Sequence, residues 1–219
     1  MSFIRLEQVE KTFGKTKVLR GLNFEIAQHE LVAIRGASGS GKSTLLYLLG
    51  GLDQPTSGQV IIDGKNLSKM KDDDLAQFRN TTVGFVFQFH FLLPSMTCRD
   101  NLLLPARIGG QNLASVEKDT KKLAELLGVT HCLTKFPFEI SGGEQQRINI
   151  IRALSLRPKI LLCDEPTGNL DSVNTEKVAS LLKSLAAEYG TTLLVVTHDD
   201  KVASHFPRKI VIEDGQIIG

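Results

Sequence analysis

The stretch "LVAIRGASGSGKSTLLYLL", residues 31–49, decides how the rest of the chain is read. Leu31 to Arg35 form a short apolar run that ends at Gly36, and Lys42 to Leu49 read as a helix. Between them Gly36, Gly41, Lys42 and Ser43 satisfy the spacing G-x-x-x-x-G-K-[ST], with Ala37, Ser38, Gly39, Ser40 and Thr44 completing the segment. The spacing has a physical reason. Backbone N–H groups must wrap around phosphate oxygens, and side chains at the glycines would block that approach. The helix adds its positive dipole end, Lys42 reaches the β and γ phosphates, and the Ser43 hydroxyl is placed to ligate Mg²⁺. A strand before the loop and a helix after it distinguish a phosphate cradle from a glycine-rich turn that merely joins two elements.

Working outward, "FIRLEQV" and "LNFEIA" alternate as half-buried strands, and "VGFVFQ" at 83–88 reads as a buried one. From Cys98 to Val129 the texture is helical, with Val116, Leu123, Leu126 and Leu127 on one face and Gly128 as the stop. Ile148, Ile151 and Leu154 fall at helical spacing, and "KILLCDEP" is a further buried strand. Val178, Leu181, Leu182, Leu185 and Ala186 follow the i, i+3, i+4, i+7, i+8 rule, ahead of the strand "TTLLVVTH". The chain closes on a hairpin through Asp214-Gly215. Strands alternating with amphipathic helices predict an α/β fold: a mixed, mostly parallel sheet covered on both faces, with an antiparallel start and finish. The helical stretch has no strand of its own and reads as a subdomain.

At 219 residues the chain is expected to form a single domain. We divide it into a core from 1–95 and 155–219 and a helical lobe from 96–154. Lys plus Arg number 26 against 24 acids, a net +2 without a concentrated basic face, which argues against a nucleic-acid partner. The three cysteines, Cys98, Cys132 and Cys163, lack any C-x-x-C spacing, which speaks against a cysteine metal site or a disulfide framework and for a reducing compartment. No uncharged apolar run approaches the ~20 residues that span a bilayer, so direct membrane insertion is not expected.

Two further motifs carry chemistry. The strand ending in Asp164 puts a carboxylate beside Mg²⁺, and Glu165 can face the γ-phosphate to orient or deprotonate a water. "ISGGEQQR" at 140–147 reads as a helix start, with Ser141 as cap and Glu144 closing a capping box. A serine hydroxyl, the N–H groups of Gly142 and Gly143 and a helix dipole also make a second anion site.

Together "GASGSGKST", "ISGGEQQR", "LLCDEPTGNLD", Gln88 after "VGFVF" and His198 in "VVTHD" cover the chain almost end to end, and they resemble the nucleotide-binding subunit of ATP-binding cassette transporters. The resemblance implies a P-loop NTPase with a RecA-like core, an antiparallel β subdomain and a helical signature subdomain. It also implies an ATPase that uses ATP and Mg²⁺. Its copies pair head to tail, so that Ser141, Gly142 and Gly143, with Glu144 beside them, bind the γ-phosphate held by a second copy. Phe13 matches the aromatic that stacks on adenine, though a core phenylalanine is an alternative. Gln88 matches a residue touching Mg²⁺ or the attacking water, and His198 the switch histidine on the γ-phosphate; Asp171 matches a loop that signals across the dimer, though a cap on the following helix is an alternative. Ile140, Asn149, Ile151 and Cys163 depart from the family pattern without removing a phosphate contact.

"LLYLLGGLDQPTSG" and "FVFQFHFLLPSMT" further resemble the branch of lipoprotein-releasing, macrolide-export and cell-division ATPases. That branch implies integral membrane permease subunits as partners and a peripheral location on the cytoplasmic face of the bacterial inner membrane. Phe87, Phe89 and Phe91, followed by Leu92 and Leu93, either dock a helix of that partner or fill the junction between lobes. A soluble repair-type cassette would carry a long coiled-coil insertion and a translation-type one two cassettes; the sequence has neither. A P-loop kinase would have no use for the signature segment.

Overall fold

A computed structural model describes residues 2–168 and 172–218; Asp171 lies outside the described residues. In chain order the strands are β1 (Ile4–Phe13), β2 (Thr16–Ile26), β3 (Leu31–Arg35), β4 (Ser57–Ile62), β5 (Lys65–Asn66), β6 (Val83–Val86), β7 (Ile160–Asp164), β8 (Thr192–Thr197), β9 (Arg208–Glu213) and β10 (Gln216–Ile217). The helices are α1 (Lys42–Leu49), α2 (Asp72–Thr82), α3 (Cys98–Ile108), α4 (Leu113–Leu126), α5 (Gly142–Leu154), α6 (Ser172–Tyr189) and α7 (Asp200–Ser204).

Every residue of β7 and β8 is buried, which is possible only in a sheet covered on both faces. They lie inside a six-stranded sheet of order β10-β9-β3-β8-β7-β6. Its pairings are parallel except for β10, which returns on β9 through the expected turn at Asp214 and Gly215. The remaining strands form a separate antiparallel sheet, β2-β1-β4-β5.

Strand periodicity divides the interior in two. Ile160, Leu162, Leu194 and Val196 face α1 and the antiparallel sheet, whereas Leu161, Cys163, Leu193 and Val195 face the other way. α1 is fixed between the two sheets by Leu45, Leu46, Leu48 and Leu49, none more than 1% exposed, each contributing roughly 1.5–3 kcal/mol. That anchor holds the phosphate loop at its N-terminus. On the opposite face, Leu102, Leu123, Ile148 and Ile151 of α3, α4 and α5 join one continuous core with α6 and the sheet. The helical stretch therefore leans on the sheet rather than enclosing a core of its own.

Two local expectations change. Leu126 was expected on the buried face of α4 but is 63% exposed. The helix packs through Thr120, Leu123 and Ala124 instead, and it unwinds at Leu127 before Gly128 (φ 67°). β6 ends at Val86, opposite Cys163 of β7, so Phe87 and Gln88 lie beyond the ladder. The Phe87 ring stacks on Phe85 at 5.2 Å.

Candidate active site

Parallel strands present their carboxyl ends on one edge, where open α/β sheets bind ligands. Here β3 leads to Gly36, β7 to Asp164 and Glu165, β8 to His198, and β6 by way of Phe87 to Gln88. A cavity of about 680 Å³ opens at this edge, lined among others by Phe13, Ser38, Lys42, Ser43, Gln88, Glu165 and His198. The strand order makes the grouping: β8 runs between β3 and β7, so His198 emerges between the phosphate loop and Glu165.

Lys42 is only 7% exposed, and its Nζ donates to the carbonyls of Gly36 (2.9 Å) and Ala37 (2.8 Å). The ammonium is thus drawn into the centre of the loop, where phosphate oxygens are stronger acceptors. The glycines are required first by the chain itself. At Gly36 (φ 155°) a Cβ would stand 2.1 Å from the Ile212 carbonyl oxygen, and at Gly41 (φ 101°) 2.7 Å from Leu19 Cδ2. Gly41 caps α1 without a side-chain hydrogen bond, so the first N–H groups of the helix are left for a ligand.

Across the loop, Ser43 Oγ donates to Asp164 Oδ1 at 2.9 Å. Burial, and then the charge of Glu165, push the Asp164 carboxyl up, while Ser43 and Lys42 oppose that rise. A hydroxyl and a crowded carboxylate side by side are the hard oxygen donors Mg²⁺ takes. Tyr47, one helical turn after Ser43, turns towards Asp164: its phenol is pushed up by burial and then by that carboxylate. The sequence reading missed it, although the i, i+4 spacing from Ser43 was available.

Glu165 adopts φ 46° and its N–H donates to Val196 O at 3.0 Å, tying the turn to β8. Its Oε1 lies 2.8 Å from His198 Nδ1. Gln88 packs against the backbone of Gly168, where a Cβ would come within 2.8 Å of its Nε2. Phe13 is 50% exposed at the mouth with the Lys11 ammonium 4.8 Å from its ring centre, so it is no core residue.

The signature residues stand elsewhere: Ser141, Gly142, Gly143 and Glu144 take no part in lining the cavity. Ser141 Oγ and its N–H both donate to Glu144 Oε2, at 2.7 and 2.8 Å, and Ser141 Oγ accepts from the Glu144 N–H at 3.4 Å. The Ser141 hydroxyl above all, then its N–H and His131, hold the Glu144 carboxyl down at about 2. A Cβ built on Gly142 would meet nothing within 4 Å, and one on Gly143 only the Arg147 guanidinium at 3.8 Å. Behind this helix start, the unusual Asn149 accepts from Arg152 at 3.1 Å. Arg152, also missed in the sequence, donates to the carbonyls of His90 and Phe91, both at 2.8 Å.

A phosphate loop, a hydroxyl–carboxylate pair for a cation, and a glutamate held by a histidine define a P-loop ATPase. Residues 19–168 match the ABC transporter family. The chain belongs to that family, as an ATP-binding and ATP-hydrolysing subunit. It is 46% identical over 215 residues to the lipoprotein-releasing system ATP-binding protein LolD of Cytophaga hutchinsonii, covering 98% of each chain. To LolD of Geobacter metallireducens it is 43% identical over 221 residues, covering 99% of this chain and 98% of the relative. Among solved structures it superposes on MJ0796, described as a bacterial ABC transporter cassette in dimeric form, with TM-score 0.90 and 39% identity over 99% of this chain and 97% of that one. The same cassette in a dimeric post-hydrolysis state bound to ADP and Pi gives TM-score 0.89 at 38% identity, with the same coverage of 99% and 97%.

Proposed function

We propose that two copies of this chain close head to tail on two ATP molecules and so drive lipoprotein release through integral membrane permease subunits of the LolC/LolE kind. The observation that carries the shared clasp is the open face of Gly142 and Gly143. Nothing among the described residues demands glycine there, whereas a phosphate approaching from a second copy does. Two-fold symmetry then makes two identical composite sites from one surface.

Within each site, Phe13 stacks on adenine, the loop from Gly36 to Thr44 wraps the phosphates, and Lys42 neutralises them. Ser43 and Asp164 would hold Mg²⁺, with Gln88 beside them, and the ion would supply countercharge to the phosphate oxygens. Glu165 takes the proton of the attacking water, and His198 orients that carboxylate while facing the γ-phosphate. Ser141 and the N–H groups of Gly142 and Gly143 close over the phosphate from the partner, and the segment around Asp171 reports its arrival.

The transport reading rests on the near full-length likeness to LolD and on a docking surface beside Gln88. Phe89 and Phe91 are 64% and 62% exposed, and Leu93 is 40% exposed. Next to them an apolar groove of about 380 Å³ runs between β6 and α3, lined by Phe85, Phe87, Leu104, Pro105 and Ile108. A short cytoplasmic helix of the permease fits such a groove. Among the described residues no helix is long and apolar enough to cross a membrane, so attachment to the cytoplasmic face of the inner membrane falls to that partner.

Purification from detergent in the native host tests the assignment. The chain should elute with a permease of the lipoprotein-releasing type, and Phe89→Ser with Phe91→Ser should abolish that. Elution with a drug exporter or a division protein instead would overturn it.

A further inference from the structure

We propose that His131, Cys132 and Glu144 form a binding site for a borderline-soft divalent cation, Zn²⁺ foremost, that pins the start of α5. The three ligand atoms lie within 4.8 Å of one another. His131 Nε2 is 2.7 Å from Glu144 Oε1 and 3.4 Å from Cys132 Sγ. Zinc bonds of ~2.0–2.3 Å in tetrahedral geometry separate neighbouring ligands by roughly 3.3–3.7 Å, so the His131–Glu144 pair needs to open by about half an ångström and the Cys132–Glu144 pair to close by about 1 Å at most. Imidazole, thiol and carboxylate together suit Zn²⁺ and its transition-metal neighbours, not the oxygen-seeking Mg²⁺ or Ca²⁺.

The surroundings prepare this geometry. Glu144 Oε2 is already engaged by the Ser141 N–H and hydroxyl, which turns Oε1 towards His131 as an outer partner orients a ligating carboxylate. Cys132 is held in a tight turn by its N–H on Val129 O at 3.0 Å, and its carbonyl accepts from Lys135 N–H at 3.0 Å. The Cys132 residue is fully buried while the His131 side chain is 57% exposed, so a cation can enter from solvent past the imidazole and bind against the buried sulfur. Three protein ligands leave a fourth position for water. On binding, the Cys132 S–H bond breaks, a sulfur–metal bond forms, and the proton leaves to solvent.

One consequence rests on the proposed function. A pinned Glu144 keeps the Ser141 hydroxyl donated to Oε2 and withholds it from the partner's phosphate, so the cation slows turnover.

Titration of the full chain with Co²⁺, without nucleotide, tests the site. One equivalent should produce near-ultraviolet thiolate-to-cobalt absorption that Zn²⁺ displaces. His131→Gln, an exposed change that leaves the core intact, should weaken binding at least tenfold. Cys132→Ser should remove the band and Cys98→Ser should keep it. No band in the parent chain, or equal affinity in His131→Gln, overturns the site. In ATPase assays the half-inhibitory Zn²⁺ concentration should rise at least tenfold in His131→Gln; equal inhibition overturns the clamp. Normal hydrolysis by Ser141→Ala would fail the shared-clasp reading instead, which the cobalt titration of the parent chain does not depend on.

Discussion

Arg152 ties the signature helix to the segment that follows Gln88, and removing its donors should cost both stability and turnover. Replacing it by Met keeps the aliphatic stem and deletes the guanidinium, so the loss is of hydrogen bonds rather than of packing. Three bonds go: to His90 O and Phe91 O at 2.8 Å each and to Asn149 Oδ1 at 3.1 Å. Hydrogen bonds to a charged donor contribute ~1.5–3 kcal/mol apiece, but Phe91 is exposed and water can replace part of that bond. Deleting the guanidinium also recovers the desolvation cost that burial imposes on it and that holds its pKa down, so the net cost is about 2–4 kcal/mol. For a domain of this size each kcal/mol lowers Tm by ~2–4 °C, so the variant should melt roughly 5–15 °C earlier. Arg152→Lys, which can reach one carbonyl at a time, should recover about half of the loss. Circular dichroism melting of the three proteins gives the first readout and steady-state ATPase the second. Because the loop carries Gln88, a displacement of an ångström can reduce turnover by up to ~10²-fold. An Arg152→Met chain that melts within about 2 °C of the parent and hydrolyses ATP at the same rate would show that this clamp holds nothing.

Glu165→Gln keeps an acceptor for the His198 contact at 2.8 Å but loses the base, so hydrolysis should fall by ~10²–10⁴ while ATP binding and the closed dimer persist; wild-type turnover refutes the role. Mixing a Lys42→Ala chain with a Ser141→Ala chain should restore partial hydrolysis, because one composite site of each mixed dimer is intact; a mixture as inactive as its components removes the shared clasp. The Glu144 carboxyl is held at about 2 against an ordinary 4.5. Its contribution to stability is therefore present above 4.5 and lost as the pH falls towards 2. The Tm gap between the parent and Glu144→Gln should accordingly be widest near neutrality and close over that interval. A gap that stays constant across it contradicts the capping-box assignment.

What could be read from the sequence was whatever depends on neighbours along the chain. The phosphate loop was legible because strand, glycine spacing and helix start are contiguous, and the buried strand before Asp164 because four apolar positions, Ile160 to Cys163, run together. The cap of Ser141 by Glu144 spans three residues and was legible for the same reason. Contacts between distant segments carried no such signal. That Arg152 reaches across to His90 and Phe91, or that Glu144 meets His131, depends on how α5 lies against the loops beside it, which helical spacing does not encode. The face of α4 was misjudged at Leu126 because periodicity assumes a regular helix to its end.

By itself the sequence determined an α/β chain with a nucleotide-phosphate loop, an acidic strand end and a second glycine-rich helix start, since each is a local pattern with a local physical cause. Only the tertiary structure decided that β8 runs between β3 and β7. That strand order sets His198 against Glu165, and the packing of the helices and loops around the sheet leaves Phe89 and Phe91 exposed and Gly142 and Gly143 outside the cavity lining. Strand order is fixed by which apolar faces bury best against one another across the whole domain, a sum over long-range contacts that no short stretch contains.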